Sequence, residues 1–247
     1  MRPHTGRVER PASLPSAAEG WRTDSPTRGR FAGEDVLVPV HPPCAGRLWT
    51  WVSELAAVPR EIRATRVRVP FVHTVLPKGG VGAELGVFKG RFSPVLLRES
   101  QATCLHLIDP WYLLTPTWHW GRGDRSTVNA LRRILKRWRP EIEAGRIKVH
   151  VGDDRQVLAS FPDHCLDWVY LDSSHAYEHT AEELRLLHRT VKPGGVIAGD
   201  DWQPDPAHKH HGVHRAVTEF AAAEGYDVVY ANESDQQWAI TRRAPSR

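Results

Sequence analysis

From residue 76 onwards the chain alternates short apolar runs with longer stretches that carry apolar residues at helical spacing. The runs Val81–Leu85, Cys104–Ile108, Ile147–Val151, Leu166–Leu171, Gly195–Ala198, Asp227–Tyr230 and Gln237–Thr241 are bounded by turn residues and predict strands. Between them, Arg91–Glu99, Ser126–Trp138, Arg155–Ser160, Glu178–Thr190 and Val213–Ala223 predict helices. Such alternation predicts an α/β fold with a doubly wound, mostly parallel sheet that takes ligands at the carboxyl ends of its strands. The last two strands follow one another without a helix, which predicts an antiparallel edge hairpin.

The stretch before residue 76 has a different character. Residues 1–30 are rich in Pro, Ser, Gly and Arg without a hydrophobic period, and are expected to form a disordered N-terminal arm. Residues 31–75 contain Val36-Leu-Val-Pro-Val40 and a predicted helix from Leu48 to Leu55; they are expected to cap one end of the main domain, residues 76–247. A chain of 247 residues with 40% hydrophobic and 25% charged content can build one full α/β core. No apolar run is long enough to span a bilayer, and the first residues lack the apolar segment of a secretory signal. A cytoplasmic protein with no membrane partner is therefore expected. Cys44, Cys104 and Cys165 are odd in number and widely spaced, as reduced thiols are, which argues against a disulfide framework or a zinc knuckle.

Charge changes this picture little. The net charge of +4 favours anionic partners, but much of the excess lies in the first 70 residues and the last few. The basic run Arg132–Arg139 surrounds a helix whose apolar positions are Leu131, Ile134, Leu135 and Trp138, which reads as a solvated face; nucleic acid is not the expected partner. A small-molecule partner is expected, and a homo-oligomer stays open.

The chemistry is concentrated where strands end. The first core strand runs into Glu84, Gly86 and Gly90, an E-x-G-x-x-x-G pattern at a strand-to-helix junction, where glycine permits a sharp turn and close approach of a ligand. Asp109 ends the next apolar run, at the distance from a glycine-rich turn where an α/β sheet holds a ribose hydroxyl pair. The spacing is not the dinucleotide fingerprint and no phosphate-cradling lysine loop is present, so nucleoside binding without a pyrophosphate cradle is the expectation. Further on, the run ending at Leu171 delivers Asp172, with His175 three residues later, and the run ending at Ala198 delivers Asp200 and Asp201. Three carboxylates on one rim of a sheet repel one another unless a cation or a proton sits among them, and hard oxygen donors suit Mg²⁺ or a similar divalent ion. Taken singly, Asp172 would serve as a helix cap with His175 in the first turn, Asp200-Asp201 as a solvated turn, and Glu84 as an ordinary buried acid.

Taken together, Glu84-x-Gly-x-x-x-Gly90, Ile108-Asp109, Gly152-Asp153, Tyr170-Leu-Asp-x-x-His175, Lys192-Pro-Gly-Gly195 and Gly199-Asp-Asp201 resemble class I S-adenosylmethionine-dependent methyltransferases, from about Leu76 to Ile240. Within them the chain is most similar to the macrolide-sugar (macrocin- and mycinamicin-type) O-methyltransferases, and more distantly to catechol-type enzymes. The resemblance implies a Rossmann-like sheet and S-adenosylmethionine as cofactor. It implies that Gly86 and Gly90 pass close to the methionine part with Glu84 supporting that loop. It further implies that Asp109 accepts from the ribose and that Asp153 faces the adenine amino group, with Asp154 as rival. Asp172, Asp200 and Asp201 match metal positions, and His175 matches the general base. The catechol-type pattern has Asp-Asn where this chain has Asp200-Asp201, and often Lys where His175 stands, which favours the sugar-type branch. The expected activity is metal-assisted O-methylation of a small hydroxylated metabolite; the rivals are a metal-free N- or C-methyltransferase and a non-catalytic nucleoside-binding regulator.

Two stretches are less definite. Trp111–Gly123 is rich in aromatic residues and would form an acceptor wall or lid with Trp202 opposite, or pack into the core. His208-Lys-His-His-Gly-Val-His214 has the look of a metal cluster, but the reading taken is a variable loop that opens a helix at Gly212-Val213.

Overall fold

The computed structural model describes residues 65–111 and 126–243, together with Arg63 and the backbone of two short strands. Those strands, Arg28–Phe31 (β1) and Glu34–Leu37 (β2), pair antiparallel. Residues 1–27, the helix predicted at Leu48–Leu55, Cys44 and the aromatic stretch after Trp111 up to residue 125 lie outside the described residues.

A helix over 65–75 (α1) leads into the sheet. The elements that follow are β3 (Val81–Leu85), α2 (Ser93–Ser100), β4 (Cys104–Asp109), α3 (Ser126–Arg137), α4 (Arg139–Glu143), β5 (Ile147–Val151) and α5 (Asp154–Ala159). The chain continues through β6 (Leu166–Leu171), α6 (Tyr177–Thr190), β7 (Val191–Gly199), α7 (His211–Glu224), β8 (Tyr226–Asn232) and β9 (Gln237–Arg242). Seven strands form one sheet in the order β5-β4-β3-β6-β7-β9-β8. Pairings from β5 to β7 are parallel, and β9 is antiparallel to both β7 and β8, as the missing helix between the last two strands predicts.

Side chains alternate across the sheet, so each strand feeds two cores. Val169 and Leu171 of β6 join Leu158, Leu184, Leu187, Val213 and Val217 of α5, α6 and α7 on one face. Trp168 and Tyr170 join Phe71, Leu96 and Ile134 of α1, α2 and α3 on the other. Burial on both faces is why the central strands read as continuous apolar runs. Lys192-Pro-Gly-Gly195 lies inside β7: the pairing with β6 steps from Leu166–Val191 to Trp168–Val196, so the four residues loop out of register.

The chain turns back on itself between β3 and β6, since β4 and β5 lie on one side of β3 while β6 and β7 lie on the other. A doubly wound sheet opens its ligand crevice at that switch point, beyond the carboxyl ends of the strands. Gly86 and Asp172 are the first residues beyond β3 and β6, and the Asp172 N–H donates to the Leu85 carbonyl at 2.8 Å. No helix among the described residues is long and apolar enough to cross a membrane. Cys104 and Cys165 are free thiols.

Candidate active site

The rim of the crevice starts with the loop after β3. Gly86 has φ +85°, and a Cβ there would lie 1.9 Å from the Asp172 carbonyl oxygen. Gly90 has φ +65°, and its Cβ would meet the Ile134 side chain at 2.7 Å. The sequence reading assigned these glycines to ligand approach. In the structure their first requirement is internal: the backbone just after β6 and the Ile134 side chain of α3 lie where side chains would stand.

That loop is tied to the end of β4. Asp109 is 4% exposed; its Oδ2 accepts from the Phe88 N–H at 2.7 Å and its Oδ1 from the Trp111 N–H at 2.7 Å. The Trp111 indole N–H donates back to the Phe88 carbonyl at 2.8 Å. Burial pushes the Asp109 carboxyl up to about 6 against these bonds. Each oxygen keeps a lone pair, so the carboxylate can still accept two hydroxyls. Trp111 is buried here and Trp202 packs against His214 at 4.5 Å, so both described tryptophans of the expected acceptor wall are core residues.

Glu84 lies beneath the same loop, 2% exposed, with its Oε2 unpartnered among the described residues. Burial pushes its carboxyl up to about 8, which the nearby Ser93 hydroxyl only partly offsets. An acid whose folded pKa is raised above its unfolded one costs nothing below the unfolded value, where both states hold the proton. From about 4.5 to about 8 the unfolded state ionises first and stability falls. The slope is about 1.4 kcal/mol per pH unit. Glu84→Gln is therefore expected to lessen the loss of stability between these pH values, measured by urea unfolding at both ends of the window. Equal pH dependence in the two proteins would mean that Glu84 ionises normally.

Beyond β5 the two candidate acids part company. Asp153 caps α5 by accepting from the Arg155 N–H at 3.0 Å, and its Oδ2 pairs with Arg155 Nη2 at 2.8 Å. Asp154 is buried, with His179 Nε2 at 2.8 Å from its Oδ1 and the buried Glu183 beside them. Ser173, next to Asp172, donates its hydroxyl to Glu183 Oε1 at 2.5 Å.

Four side chains converge beyond β6 and β7. Asp172, Asp200 and Asp201 bring carboxylate oxygens within 4.8 Å of one another, as the sequence predicts. Asp200 is positioned from the antiparallel edge: Gln237 Nε2 donates to its Oδ1 at 2.5 Å, the Trp238 indole to its carbonyl at 2.8 Å, and the Tyr170 hydroxyl to Gln237 Oε1 at 2.6 Å. Burial, and then the Asp172 charge, push Asp200 up to about 7. Asp201 sits at φ +63°, a left-handed conformation that Asp tolerates better than most residues. Its Oδ2 is 2.5 Å from His175 Nδ1 and its Oδ1 is 2.6 Å from His210 Nδ1. Burial works to raise Asp201, but the two imidazoles outweigh it and hold the carboxyl down at about 2. The two rings stack 4.4 Å apart and cannot both be charged at little cost. Burial works to lower both; the Asp201 bond and the surrounding acids lift His175 above its ordinary value, while His210 stays below it. Helix α6 begins at Tyr177 with Ala176 at its cap and no side-chain cap bond, so neither Asp172 nor His175 is a capping residue.

Three participants escaped the sequence reading. His210 comes from the histidine-rich stretch, which gives one residue to the site while His211 bonds the Gln203 carbonyl instead. Gln237 stands at the start of β9, an antiparallel strand that alternation alone does not connect to β7. Arg68 of α1 reaches across the crevice, donating through Nη1 to Asp172 Oδ2 at 2.7 Å and through Nη2 to Asp200 Oδ2.

Residues 83–202, which hold most of this site, match the family described as a methyltransferase domain. Among solved structures, a protein of Methanococcus maripaludis assigned as an S-adenosyl-L-methionine-dependent methyltransferase matches with a TM-score of 0.52 at 14% identity, over 75% of this chain and 88% of that one. A protein of Corynebacterium glutamicum matches with a TM-score of 0.50 at 13% identity, over 75% of this chain and 82% of the other. At such identities the likeness shows the fold, here the Rossmann-like methyltransferase sheet. No curated protein matches the chain. The domain match over residues 83–202 and the seven-stranded sheet with its antiparallel edge agree on a methyltransferase domain built on the Rossmann-like methyltransferase fold.

Proposed function

We propose that the protein methylates a hydroxyl of a small metabolite, a sugar or another natural product, in the cytoplasm, with His175 as general base and a divalent cation such as Mg²⁺ at the acid cluster. The observation that carries this reading is the His175–Asp201 pair, 2.5 Å apart, beside Asp172 and Asp200 on the ligand-bearing edge of the sheet. S-adenosylmethionine supplies a methyl group already activated on a sulfonium, so the protein must mainly align an acceptor oxygen and remove its proton.

The residues present fit both groups. Asp109 retains acceptor capacity for a ribose, and the buried unpartnered Oε2 of Glu84 beneath the Gly86–Gly90 loop suits a cationic neighbour such as the methionine ammonium. For the adenine amino group, Asp153 is the more exposed candidate, and Asp154 is held among His179 and Glu183. Asp172 and Asp200, with Asp201 beside them, are a hard oxygen donor set for a divalent ion, which supplies Lewis acidity towards an acceptor hydroxyl. Asp201 fixes the His175 ring and stabilises the imidazolium that forms when His175 takes the hydroxyl proton.

Arg68 supports a second reading, metal-free methyl transfer to oxygen, nitrogen or carbon, in which its guanidinium remains the counter-charge of Asp172 and Asp200. Transfer of labelled methyl from S-adenosylmethionine to a panel of hydroxylated acceptors tests the main reading. EDTA is expected to abolish turnover and Mg²⁺ or Mn²⁺ to restore it, while S-adenosylhomocysteine affinity survives chelation. Full activity in EDTA would select the metal-free reading.

A further inference from the structure

Resting on the metal reading above, we propose that Arg68 is the resident counter-cation of the Asp172–Asp200 pair and competes with the divalent ion for it, so that metal enters only as the guanidinium withdraws.

Asp200 Oδ1 is held by Gln237, and its Oδ2 by Arg68. Arg68 also takes Asp172 Oδ2, so one fork spans the two carboxylate oxygens that face each other across β6 and β7. A divalent ion held by the same acids would stand close to the guanidinium that already spans them. If the guanidinium stayed, two cations with three positive charges between them would stand a few ångströms apart in a partly buried site, and their repulsion would offset much of the attraction to the acids.

Arg68 is built to hold this place. Phe71, one turn further along α1, is 2% exposed and meets Tyr230 edge-on at 4.8 Å, and Val72 is fully buried, so the helix is anchored in the core just beyond Arg68. The guanidinium carbon lies 5.3 Å from the centre of the Phe92 ring, which covers its other side. Its side chain is 19% exposed, so part of it already reaches solvent.

The test uses the full-length chain, stripped with EDTA, and Mn²⁺ as probe, with free Mn²⁺ followed by electron paramagnetic resonance. Arg68→Gln is expected to bind Mn²⁺ about tenfold or more tightly than the wild type, because the competing charge is gone. Arg68→Lys keeps a point charge without the fork; it should fall between the two, and it preserves the test if the glutamine variant folds poorly. Asp200→Asn should lose Mn²⁺ binding in either background, which places the ion. A second readout is melting temperature, which Mn²⁺ should raise more in Arg68→Gln than in the wild type. Equal or weaker Mn²⁺ binding in Arg68→Gln, with the wild type binding well, overturns the competition while leaving the metal reading intact. Mn²⁺ binding by none of the proteins overturns the metal reading and the competition with it.

Discussion

His175→Ala is expected to lower kcat by about 10²–10⁴-fold while leaving the melting temperature and S-adenosylhomocysteine affinity nearly unchanged. The structure separates the two roles that a histidine at this position could play. A capping residue would cost stability when removed, but α6 starts at Tyr177 without a side-chain cap, and Asp201 keeps His210 as a partner at 2.6 Å when the His175 ring is gone. A base would cost rate. His175 Nδ1 is held by Asp201 at 2.5 Å, an arrangement that orients an imidazole and stabilises its protonated form. Only the neutral ring accepts a proton, and Asp201 with the neighbouring acids raises the pKa in spite of burial. Activity should therefore rise with pH through one ionisation above that of free imidazole, and this limb should disappear in the variant. Rate and melting temperature measured on one preparation decide the matter: a stable variant with wild-type kcat sinks the assignment.

The fold was legible because both faces of the central strands are buried. Val81–Leu85, Ile147–Val151 and Leu166–Leu171 stand out as apolar runs, and an acid at or just beyond the end of β3, β4 and β6 marks the edge where ligands bind. Helix α1 was not legible. Arg66-Val-Arg-Val69 has the two-residue period of a strand and Pro70 follows it, yet the segment is helical, because Phe71, Val72 and Leu76 bury themselves on the sheet. Arg68 stayed hidden with it, since its partners lie 104 and 132 residues away, a contact that no local pattern carries. His210 was lost for a different reason: in a run with five histidines and lysines in seven positions, composition suggests a cluster, while the turn before α7 admits one of them to Asp201. The glycines at 86 and 90 were found, but part of their cause was internal packing that only the neighbouring β6 and α3 reveal.

Asp109→Ala should weaken S-adenosylhomocysteine at least tenfold, and this prediction has a signature in the wild type as well. Each hydrogen bond from a ribose hydroxyl to a carboxylate contributes about 1.5–3 kcal/mol, so loss of one alone accounts for a tenfold change and loss of both for more. The substitution also strips the Phe88 and Trp111 N–H groups of their acceptor, which would loosen the Gly86–Gly90 loop. Asp109→Asn does not escape this, because either orientation of the amide sets its NH₂ against one of those N–H donors. The pH dependence of the unmodified protein avoids the complication. Burial places the Asp109 carboxyl at about 6 in the free protein, well above the ordinary 3.8. If the ionised form is the one that accepts the ribose hydroxyls, affinity should be level above that value. Below it, affinity should fall as the proton takes an acceptor site, by about tenfold in all between pH 8 and pH 5. Calorimetric titration of S-adenosylhomocysteine from about pH 8 to about pH 5 reads this directly, and the limb should be absent in Asp109→Asn. A flat profile in the wild type, with unchanged affinity in Asp109→Ala, would place the ribose elsewhere on the sheet edge.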